Sequence, residues 1–90
     1  MSQADGAKPL HEGQVMGTEI NSRNGKPYGF HGHFLGNGTI IYRATVSDQH
    51  GSYRGELSGV FDHAPGGPSP AEQVRSLLHA AIRDSVGYKV

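Results

Sequence analysis

From residue 28 to residue 61 the side chains change character at every second position, and from residue 70 they change at every third and fourth. No other feature of the chain limits its possible folds so far. A period of two belongs to a strand with one buried face, and a period near 3.6 to an amphipathic helix. YGFHGHFL (28–35) directs Tyr28, Phe30 and Phe34 to one side and His31, His33 and Leu35 to the other. TIIYRATVS (39–47) sets Ile40, Tyr42, Ala44 and Val46 against Thr39, Ile41, Arg43 and Thr45. SYRGELSGVF (52–61) sets Tyr53, Leu57 and Phe61 against Arg54, Glu56, Ser58 and Val60. GNG (36–38) and SDQHG (47–51) are turn sequences, so these strands pair as antiparallel hairpins. A weaker strand, QVMGTEIN (14–21), leads in through SRNGK, whose Asn24-Gly25 pair is a hairpin signal.

The helix announces itself at both ends. Ser69 is placed as N-cap, Pro70 at the first helical position and Glu72 at N3, a capping box. Val74, Leu77, Leu78, Ala81, Ile82 and Val86 form one apolar stripe, from which Arg75, His79, Arg83 and Asp84 fall away. Gly87 can close the helix in the left-handed conformation. The stripe has to lie on something apolar, and the aromatic face of the sheet is the surface on offer, with Gly32, Gly55 and Gly59 leaving room for close approach. The expectation is an α+β domain: a three- or four-stranded antiparallel meander with one C-terminal helix on one face, ββββα. Residues 1–13, small and polar, are expected to form a disordered tail, with 14–90 the single domain.

Ninety residues with 34% hydrophobic content and 14 glycines can build only a small core. Eight basic residues balance eight acidic ones, so the overall charge gives no support to nucleic-acid binding or to attachment at an anionic membrane. Cysteine is absent, which excludes disulfides and thiolate metal sites. No run is long and apolar enough to span a bilayer, and the first residues lack the pattern of a secretory signal. A cytoplasmic location is the default expectation.

His31 and His33, one residue apart on a strand, are the candidate metal ligands, because neutral imidazoles at that spacing share a face. A first shell needs more. Arg43 and Thr45 are poor ligands, and Glu56 stands two strands away. The competing reading, two exposed polar residues on the wet face of a half-buried strand, needs no third ligand. Asp62-His63 with Ser58 or Ser69 contains the residue types of a hydrolytic triad, without a nucleophile-elbow sequence around either serine. The glycine clusters make no phosphate cradle: GNG precedes a strand, and the loop APGGPSPAE leads to helix donors that Ser69 and Glu72 already occupy. No cofactor motif is present, and an enzyme is not expected.

The face opposite the helix gathers His31, His33, Leu35, Ile41, Arg43, Arg54 and Val60, the candidate partner-binding residues. Leu35, Ile41 and Val60 can form an apolar patch there, and a contiguous patch marks a partner site. Edge strands offer a second route to a protein partner or a homodimer. The same face, with Arg43, Arg54, Lys26 and Arg23, is the candidate surface for weak RNA binding, although the large aromatics belong to the other face. A non-enzymatic protein-interaction module is the leading expectation.

The run IIYRATVSDQHGSYRGELSGVFDHAPGGPSPAEQVRSLLHAAIRDSVG, in which Ser58-Gly59-Val60-Phe61 ends a strand ahead of an Ala-rich amphipathic helix, resembles small uncharacterised bacterial proteins of the Burkholderia type. The likeness covers roughly residues 28 to 87. It implies an antiparallel sheet followed by a helix, supports a non-enzymatic role, and brings no functional residue with it. The layout is also similar, more distantly, to double-stranded-RNA-binding domains, but the helix lacks the basic N-terminal cluster that those domains use.

Overall fold

The alternating segments become strands and the 3.6-period segment a helix. The computed structural model describes residues 10–85. In chain order these are β1 (His11–Ile20), β2 (Pro27–Asn37), β3 (Thr39–Asp48), β4 (Tyr53–Asp62) and α1 (Pro70–Asp84). The strands form one antiparallel sheet in the order β1-β2-β3-β4, and the helix follows, which is the expected α+β arrangement. β1 starts at His11 rather than at residue 14, because His11, Glu12 and Gly13 pair with Gly36, Leu35 and Phe34 of β2. Residues 1–9 of the expected tail lie outside the described residues.

The core fills the space between one face of the sheet and the helix. Val15, Tyr28, Phe30, Phe34, Ile40, Ala44 and Val46 meet Val74, Leu78 and Ile82 there. The aromatic rings of this face need flat ground, and glycines on the neighbouring strands supply it. A methyl group at Gly17 would stand 2.7 Å from the Phe30 ring, and one at Gly13 3.0 Å from the Phe34 ring. The glycines expected to admit the helix do other work: Gly59 makes room for the Tyr42 ring, and Gly32 for Ala44 and the β3 backbone.

Gly55, the third of them, belongs to an irregularity. Val46 pairs with Gly55 but Ser47 with Tyr53, so Arg54 is an extra residue in β4 and the ladder bulges there. One inserted residue reverses the facing of everything beyond it. Tyr53, expected inside, is therefore exposed on the outer face. Arg54, expected as a free cation on that face, is half-buried and donates from Nε and Nη2 to Asp48 Oδ2 at 3.0 and 2.8 Å. The same carboxylate caps the β3–β4 turn by accepting from the His50 and Ser52 amides through Oδ1.

The helix opens with the expected capping box: the Glu72 amide donates to Ser69 Oγ at 3.2 Å and the Ser69 amide to Glu72 Oε1 at 3.3 Å. Its C-terminus is closed from elsewhere in the chain. Asn21, buried at the start of the β1–β2 connection, donates to the Ile82 and Ser85 carbonyls, and Ser22 donates to Arg83 through both its amide and its hydroxyl. Val86 and Gly87 lie outside the described residues.

The buried stripe is narrower than the sequence suggests. Pro70, Val74, Leu78 and Ile82 are buried, whereas Leu77 is 41% exposed. The cause is placement: α1 lies mainly across β1 and β2 and only skirts β3 and β4. His79, expected to face water, lies against β1 instead. Its ring stands edge-on to Phe30, with centroids 5.0 Å apart, over the space that Gly17 leaves.

Candidate functional site

The outer face of the sheet is the largest surface that no element of the described residues covers. Its pattern follows from register. Leu35 pairs with Ile41, and Ile41 with Val60, so three aliphatic side chains from three strands stand side by side across the sheet. They are 49%, 62% and 62% exposed. The next row along the strands is His33–Arg43–Ser58, and the one after it His31–Thr45–Glu56. β1 adds Glu12, Gln14 and Met16 to the ends of these rows. The face is thus apolar at one end and polar through its middle.

Met16, Ile20 and Tyr53 are also exposed on this face. The sequence reading missed them. Met16 and Ile20 carry an alternation signal of their own, since Val15, Gly17 and Glu19 face inward. Tyr53 could not be placed by alternation, because the bulge at Arg54 resets the count.

The two histidines do share the outer face, within a shallow depression of about 260 Å³ that Arg43, Thr45 and Glu56 also line. His31 Nε2 lies 3.2 Å from Gln14 Oε1. Glu56 turns toward Arg43, at 3.9 Å, with both side chains more than half exposed. Such a pair contributes little. Among the described residues no three His, Asp or Glu side chains come together as a ligand set.

The residue types of the hydrolytic triad are dispersed among other partners. Asp62 accepts from the Thr39 hydroxyl at 3.0 Å, His63 Nε2 contacts the Pro68 carbonyl at 3.2 Å, and Ser69 caps the helix. The His63 ring meets His11 edge-on, at 5.1 Å between centroids. A second open feature is a groove of about 690 Å³ beside the helix, lined by the half-buried Phe61 and the exposed Leu77.

Two carboxylates titrate below their ordinary range. Glu19 is held low first by the hydrogen bond from His79, whose Nδ1 is 2.8 Å from Oε1, then by the Ile20 amide and the positive charges of His79 and Arg83. Asp48 is held low by the Ser52 amide, the Arg54 guanidinium and the His50 amide. Neither group belongs to the outer rows. Both fix structure: Glu19 ties β1 to α1, and Asp48 ties the β3–β4 turn to the bulge.

No protein-family model, curated protein or solved structure matches the chain. Among the described residues no helix is long and apolar enough to cross a membrane.

Proposed function

We propose that the chain is a small non-enzymatic interaction module that binds a protein through the open face of its sheet. The observation that carries this reading is the in-register row Leu35–Ile41–Val60, continuous across three strands and turned to water. Isolated exposed aliphatics are ordinary, but a contiguous group is what contact surfaces are made of. The polar rows beside it supply donors and acceptors of both signs, which suits a protein surface better than a phosphate backbone. RNA binding draws less support, because Arg54 spends its charge on Asp48 and Tyr53 is the one aromatic residue that the described part of the sheet presents outward. Metal binding at His31 and His33 draws less still, since Gln14 and Arg43 flank them and Glu56, in the same depression, turns toward Arg43.

Replacing Ile41 with Glu tests the reading. The side chain makes no core contact, so unfolding stability should change by no more than about 0.5 kcal/mol. Complexes that the chain forms in extracts of its own cells should be lost. Complexes of unchanged size and amount with the variant would refute a role for this face.

A further inference from the structure

We infer that the occupant of the open face is a second copy of this chain, the two sheets stacked face to face about a two-fold axis; the inference rests on the reading of that face as a contact surface. Three observations select this partner. The first is area. Four strands about 4.8 Å apart and ten residues long at about 3.3 Å per residue present roughly 600 Å² of sheet. Two such faces together bury on the order of 1,200 Å², where stable specific interfaces begin.

The second is charge. The chain has a net charge of zero, so two copies do not repel.

The third is the position of the apolar row. Among two-fold arrangements that overlap the faces fully, the axis lying along the strands between β2 and β3 lays the row Glu12–Leu35–Ile41–Val60 on its own copy, with Val60 over Glu12. Leu35 of each copy then covers Ile41 of the other. An axis across the strands would instead lay Ile41 on Ser47, Leu35 on Gly29 and Val60 on Tyr53, which separates the aliphatic side chains. Stacked sheets whose strands run within about 30° of each other are a standard way of covering such a face. Association through the β4 edge is disfavoured by the bulge at Arg54, which interrupts the ladder that a new strand would have to continue.

The absence of cysteine gives a clean test. Purified chain should sediment as a concentration-dependent dimer, and Ile41→Glu and Val60→Glu as monomers with unchanged circular dichroism. Mixing Leu35→Cys with Ile41→Cys, each carrying a different tag, should yield more mixed disulfide than either variant gives alone. A dimer that persists in both Glu variants would overturn the face-to-face arrangement in favour of an edge. A monomer at every concentration up to about a millimolar would overturn the second copy as occupant. In that case a photoreactive residue at position 41 separates the two claims: capture of another protein in extract preserves the interaction reading, and no capture ends both.

Discussion

Asn21, on the β1–β2 connection, donates its side-chain amide to the Ile82 carbonyl at 2.7 Å and so closes the last turn of a helix sixty-one residues away in sequence. The same group reaches Ser85 at 2.9 Å, and its Oδ1 accepts from the Arg23 and Asn24 amides. Helix carbonyls without partners inside the helix are thus satisfied by a hairpin, and the hairpin is shaped by the residue that satisfies them.

Asn21→Ala should therefore destabilise the chain by roughly 2–3 kcal/mol, the expected loss when buried donors vanish and their acceptors are left bare. In a domain this small that lowers the melting temperature by about 10–20 °C. Thermal unfolding followed by circular dichroism checks it. A drop of a degree or two would mean that the helix end is held by something else.

Leu77 and Leu78 are neighbours with opposite fates. Leu78→Ala removes a fully buried side chain and should cost about 2–5 kcal/mol. Leu77→Ala, at the open flank of α1, should cost less than about 1 kcal/mol. Equal losses in urea unfolding would contradict the placement of the helix over β1 and β2.

Acid should loosen the helix from the sheet. The folded-state Glu19 titrates below its ordinary range, chiefly through the His79 hydrogen bond, so the contact stabilises at and above that range and the stabilisation fades as pH falls through the folded value. Asp48 has the same sign through the Ser52 amide and Arg54. Stability should fall from about pH 5 downward, and Glu19→Gln should flatten that fall in part while Asp48 keeps its share. Urea midpoints across the acid range measure it; identical slopes for the variant and the parent chain would remove Glu19 from the account.

The sheet and the helix were legible because each segment obeys a single period. Tyr28, Phe30 and Phe34 alternate without interruption, and Ser69, Pro70 and Glu72 form a local signal that needs no tertiary context. The open-face row was legible for the same reason, once the strands were taken in chain order. What escaped was non-local or broke the count. Tyr53 and Arg54 follow a one-residue bulge. Asn21 looks like any turn residue until the helix end arrives beside it. His79 reads as a solvent-facing helical residue, because the space that admits it is made by Gly17 on a distant strand. At His31 and His33 alternation supplied the shared face, while the company they keep there, Gln14, Arg43, Thr45 and Glu56, follows from register.

The central claim, that the Leu35–Ile41–Val60 row is a contact surface, is tested most directly by a photoreactive side chain at position 41, irradiated in the cells that make the chain. The account predicts a covalent adduct from position 41 that disappears when Val60 is changed to Glu, with no comparable adduct from position 75 on the exposed side of the helix. Irradiation that gives no adduct at position 41, or equal adducts at both positions, would contradict it.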